Sequence, residues 1–123
     1  MTQTIVPTSR VLAADTIVGD KVVNPQNEDL GKIEHLMIDV EKGCIAYAVL
    51  SFGGFLGMGD KLFAIPWSAL SIDRADHQFI LNADKALLET APGFDKDHWP
   101  NMADQECGSK VSAHYGVEPY WSR

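Results

Sequence analysis

The chain has 123 residues, 46% of them apolar and 22% charged, with ten basic against 17 acidic side chains and a net charge of −7. One domain of this length buries roughly two-thirds of its unfolded surface, so neither a disulfide scaffold nor a solenoid is needed to hold it, and the composition is not that of a disordered chain. The longest uncharged stretch, residues 43–59, contains five glycines and is too short for a membrane span.

In chain order, residues 1–8 form an extension with no basic region and no apolar run, so no secretory signal is expected. Residues 20–23 read as a short strand that ends at Asn24-Pro25-Gln26-Asn27. There Pro25 presets φ for a tight turn and the Asn24 side chain can cap it. A second strand, residues 30–40, alternates at first and then places Leu36, Met37 and Ile38 in a row, which predicts a bulge or a strand covered on both faces. Glu41-Lys42-Gly43 turns the chain into a third strand, residues 44–52. Its Cys44, Ala46, Ala48, Leu50 and Phe52 alternate with Ile45, Tyr47, Val49 and Ser51, so both faces are apolar. A single small barrel buries only its inner face, so the outer face requires a terminal segment of the same chain or a second subunit.

A glycine-rich connection with Phe55, Leu56 and Met58 leads to a fourth strand, residues 61–65, which Pro66 closes. Residues 71–73 and 78–81 make a hairpin. Asn82 is the expected N-cap of a helix over residues 83–90 with Leu87 and Leu88 on its buried side. Residues 92–123 hold five of the eleven aromatic residues and, with Pro100 and Pro119, cannot be one long helix. They read as an irregular arm with a short helix near residues 102–114.

No Lys or Arg has another within three positions, and phosphate-backbone binding depends on clustered cations, so nucleic acid is not an expected partner. A basic protein partner is compatible with the acidic surface. Cys44 and Cys107, 63 residues apart, read as free thiols of a reducing, cytoplasmic setting, with Cys44 on a buried strand.

The runs Gly31-Lys32-Ile33-Glu34, Met37-Ile38-Asp39, residues 45–50, residues 52–61 and residues 63–70 together resemble the PRC-barrel family over residues 9–91. The resemblance implies a mainly all-β fold: a small antiparallel barrel with a short helix, here followed by an irregular aromatic C-terminal arm over residues 92–123. Such domains occur in the cytoplasmic part of the photosynthetic reaction-centre H subunit, in a ribosome maturation factor, and as free-standing small bacterial proteins. Tyr115-Gly116-Val117-Glu118-Pro119-Tyr120-Trp121 is similar to the tail of the free-standing kind. The family carries no catalytic constellation to transfer.

The candidate sites are few. Gly54 and Gly59 have P-loop spacing, but Asp60 stands where lysine is needed and a strand follows in place of a helix. Asp95, Asp97, His98, His114, His35 and His77 lack metal-ligand spacing, and Ser51, Ser68 and Cys107 lack a nucleophile motif. No catalytic, cofactor or metal residue is assigned. Tyr47, Val49, Phe55, Leu56, Met58, Trp99, Tyr120 and Trp121 are the candidate interface residues, because aromatic and apolar groups at a loop tip, a second strand face and an arm suit a contact surface. The resulting expectation is a non-enzymatic, homodimeric interaction or assembly module with an unidentified protein partner. The alternative is a small-molecule-binding or electron-transfer accessory, by analogy with the reaction-centre subunit.

Overall fold

The computed structural model describes residues 11–53, 60–73, 76–91, 93–95 and 97–122. Its elements run α1 (Ala14–Ile17), β1 (Lys21–Val23), β2 (Asp29–Asp39), β3 (Cys44–Gly53), β4 (Asp60–Pro66), β5 (Leu70–Asp73), β6 (Gln78–Leu81), α2 (Lys85–Glu89), β7 (Gly93–Phe94) and α3 (Gln105–His114). Single turns of 3-10 helix lie at Trp67–Ala69 and Tyr120–Ser122.

The strands form one sheet in the order β5-β6-β1-β2-β3-β4-β7. It departs from the expected closed, all-antiparallel barrel in two ways. β1 pairs with β6 in parallel, Val22 opposite Phe79. Among the described residues no ladder joins β5 to β7, so the sheet stays open at two short edges. Short edges leave few unpaired backbone groups exposed, which limits the cost of not closing. Side chains of β1, β2, β3, β4 and β6 nevertheless meet in one core around Val22, Leu30, Ile33, Leu50, Ile65 and Phe79, with Leu88 of α2 packed among them. The sheet therefore wraps around its apolar face, as burial of that face demands.

Three one-residue irregularities shape the wrap. Between β1 and β2 the register passes from Val22↔Gly31 to Val23↔Asp29, so Leu30 is the extra residue and is fully buried. Between β2 and β3 it passes from Ile33↔Leu50 to His35↔Val49, and then from Met37↔Tyr47 to Ile38↔Ile45, leaving Glu34 and Ala46 unpaired. An inserted residue reverses the alternation beyond it. That is why Cys44, expected on the face of Ala48 and Leu50, is exposed. The Leu36-Met37-Ile38 triplet combines both readings of the sequence: Leu36 packs on the core, Met37 packs on the opposite face, and Ile38 spills to solvent.

The Asn24 turn forms as expected. Asn24 is 1% exposed, and its Oδ1 accepts from the N–H groups of Gln26 (3.1 Å) and Glu28 (2.8 Å) while its Nδ2 donates to Glu28 Oε1 (2.7 Å). A buried amide is tolerated when it is paired in this way. The cap of α2 is Asp84, not Asn82: Asp84 Oδ1 accepts from Leu87 N–H at 2.8 Å. Asn82 is taken up by a γ-turn in which Ala83 N–H donates to the Leu81 carbonyl (2.8 Å), so the helix starts later than the sequence pattern suggests.

Candidate functional site: the arm on β3 and the β2–β3 hairpin

β3 is apolar on both faces, and the second face is closed by the C-terminal arm of the same chain. Tyr47 is 2% exposed and Val49 is fully buried. The cover is a second cluster in which Ala46, Tyr47 and Ala64 meet Val111 of α3, with Met37, Phe94, Met102, Tyr115 and Tyr120 around them. The arm first adds β7 to the sheet, Leu62 opposite Phe94. Trp99 then sets its ring against His35 (5.2 Å) and Phe94 (5.0 Å). Asp104 caps α3 by accepting from Glu106 N–H at 3.0 Å. His114 Nε2 donates to the Leu87 carbonyl at 2.9 Å, tying the end of α3 to α2. Because the carbonyl only accepts, Nε2 carries a proton in this contact.

The last anchor is polar. The Tyr120 hydroxyl donates to Asp39 Oδ2 at 2.5 Å. The other oxygen of Asp39 accepts from the N–H groups of Glu41 (3.1 Å) and Lys42 (3.0 Å), and its carbonyl accepts from Gly43 N–H (2.8 Å). One carboxylate therefore braces the β2–β3 turn and fastens the arm to it. The bond from Tyr120, then that from Lys42 N–H, holds the Asp39 carboxyl below its ordinary value. The same bond pushes the Tyr120 hydroxyl up to about 12.

The signs follow from linkage. A depressed carboxyl contributes stability above its unfolded value, ordinarily 3.8, and loses it as pH falls through the lower folded value. A raised phenol contributes stability below its unfolded value, ordinarily 10.0, and loses it as pH rises through about 12. The tie therefore operates at full strength between those ordinary values. In an ultraviolet titration of the tyrosines, Asp39→Ala should return one hydroxyl toward its ordinary value; a profile identical to the wild type would show that the tie does not form.

At the braced tip, Ile38 and Val40 turn outward, 54% and 87% exposed, beside exposed Cys44. Apolar groups held in solvent on a fixed hairpin are available for contact. Neither Asp39, Ile38 nor Val40 was among the candidate residues read from the sequence. Asp39 and Tyr120 lie 81 positions apart, beyond any local pattern. An apolar Val40 directly before Glu41-Lys42-Gly43 is the one signal that could have marked the tip.

The eight candidate interface residues are distributed as follows. Tyr47 lies under the arm, which removes the reason for expecting a second subunit as its cover, and Val49, paired between His35 and Ala64, is fully buried. Tyr120 meets Tyr47 edge-on at 5.9 Å and Trp121 at 5.3 Å, and Trp121 also packs over Gly108. Trp99 is partly exposed. Phe55, Leu56 and Met58 lie outside the described residues. Among the described residues no three His, Cys, Asp or Glu side chains gather as a metal cluster, and His98 and Asp95 form an exposed pair at 3.6 Å. Both cysteines are free thiols. No helix among the described residues is long and apolar enough to cross a membrane.

One comparison with known proteins agrees with this geometry at the level of the fold. A family model described as PRC-barrel domain matches residues 10–88. No curated protein matches the chain. Among solved structures, the chain is similar to RimM from Pseudomonas aeruginosa, a 16S ribosomal RNA processing protein, at 23% identity and a TM-score of 0.42; the match covers 66% of this chain and 50% of that one. The expected exclusion of nucleic acid is withdrawn beside this neighbour, which is described as a 16S ribosomal RNA processing protein. The expected homodimer and basic protein partner gain no support from these comparisons.

Proposed function

The chain belongs to the PRC-barrel domain family, and from that premise we propose that it is a non-enzymatic binding module that presents the β2–β3 hairpin to a macromolecular partner. The observation that carries this reading is the pair Ile38 and Val40, apolar and outward-facing on a hairpin braced from both sides of Asp39. A contact surface gains from such bracing, because a tip already held in one geometry loses little conformational freedom on binding. A cytoplasmic setting belongs to the same proposal and fits two free thiols.

The test is retention from a native extract by immobilised wild-type chain and by an Ile38→Lys, Val40→Lys double variant. Both positions are exposed, so the variant should unfold at the wild-type temperature. One or more macromolecules should be held by the wild type and lost by the variant, and nuclease treatment sorts RNA-borne from protein contacts. An identical retained set for the two chains would end the hairpin reading.

A further inference from the structure

Between the arm and the sheet lies a partly enclosed cavity of about 310 Å3. Its walls are apolar: Tyr47 and Ala64 from the sheet, Phe94, Pro100 and Met102 from the arm, and Val111 from α3. Lys110 and His98 also line it, and both are largely exposed, so they stand at its mouth. None of the described lining residues is acidic, in a chain with 17 acidic against ten basic side chains. The Lys110 ammonium is engaged only weakly, with Glu106 at 3.9 Å in solvent, and the exposed His98 ring lies 3.6 Å from Asp95. Exposed pairs of this kind contribute little and are readily exchanged for another anion.

From this arrangement we infer that the cavity binds a medium-chain carboxylate, its alkyl tail against Tyr47, Phe94 and Met102 and its head at the mouth beside Lys110. The charge pattern orients the ligand. A carboxylate driven to the deep wall would lose its hydration with no cation to replace it, whereas at the mouth it keeps water and gains Lys110. The volume is at the small end of ligand pockets and accepts a tail on the order of eight to ten carbons. The inference does not depend on the hairpin reading, which uses Ile38 and Val40, residues that do not line the cavity.

The probe is decanoate, titrated calorimetrically below its micellar concentration against the full chain. Saturable binding at one site is expected, with 1-decanol binding more weakly. Lys110→Glu, at an exposed helix position, should weaken decanoate by about threefold and leave 1-decanol unchanged. Met102→Trp, which fills the cavity from the arm side, should abolish both, provided that α3 keeps its hydrogen-exchange protection. The Ile38→Lys, Val40→Lys variant should bind decanoate as the wild type does. Absence of saturable binding, or equal decanoate affinity in the wild type and Lys110→Glu, overturns the proposal.

Discussion

Gly31→Ala is expected to lower stability by about 3 kcal/mol or more. Gly31 sits beside the bulge at Leu30 with a φ of +111°, a conformation that residues with a Cβ rarely adopt. A Cβ there would also be driven into the carbonyl oxygen of Ser51 on the neighbouring strand. That oxygen is backbone in the centre of the sheet and cannot turn aside. Two costs therefore add, the dihedral and the collision.

Gly43 separates them. It too has a positive φ, +68°, but nothing lies within 4 Å of where its Cβ would stand. Gly43→Ala should cost about 1 kcal/mol and Gly43→Asn less, since asparagine tolerates this region. Chemical denaturation of the three variants reads the difference directly. Equal losses for Gly31→Ala and Gly43→Ala would show that the approach to Ser51 is not a constraint on the fold.

The contrast between these glycines illustrates what the chain discloses before it folds. The strands β1 to β6 are legible because each is bounded by punctuation such as Pro25, Gly43 or Pro66, and because period-two alternation needs only neighbouring residues. The bulges are not legible in position. An apolar triplet at Leu36, Met37 and Ile38 announces an irregularity, but the extra residues turn out to be Glu34 and Ala46, chosen by how two strands fit together. The misplaced face of Cys44 follows from that single displacement.

Elements made by tertiary pairing were equally hidden. β7 has two residues, too few for a period, and exists because it lies along β4. α1 has four. The aromatic content of residues 92–123 did signal an arm that packs, since so many rings cannot remain in water. What composition does not contain is the identity of the surface beneath them. Whether Tyr47 is covered by its own chain depends on Asp39 lying within reach of Tyr120, and on Gly108 having no side chain. Neither condition has a local signature.

Gly108 supports the second large effect. It is buried in α3, and a Cβ built on it would meet the Tyr47 hydroxyl and lie 2.8 Å from the Trp121 ring. Glycine is a poor residue for a helix interior, and leucine in its place would gain about 1 kcal/mol in helix propensity alone. Its presence is explained by closeness: α3 approaches β3 until the Tyr47 ring and Trp121 fill the space where a side chain would be. The Tyr47 hydroxyl is buried there without a hydrogen-bond partner among the described residues. Burial, and next to it Cys107, pushes that hydroxyl above its ordinary value, which accords with a dry contact.

Gly108→Leu should therefore force the arm away from the sheet, because Tyr47 is fixed by its strand and the arm is held by fewer bonds. The expected cost is about 2 kcal/mol after the propensity gain, and it should fall unevenly. Amides of α3 should lose most of their exchange protection while those paired between β2 and β3 keep theirs, since elements joined by few contacts open separately. Tyr120 should then titrate closer to its ordinary value, released from Asp39. Joint loss of protection in arm and sheet would mean that the two form one cooperative unit. Unchanged protection would mean that the packing around Gly108 yields to a side chain, and the close approach of α3 would need another cause.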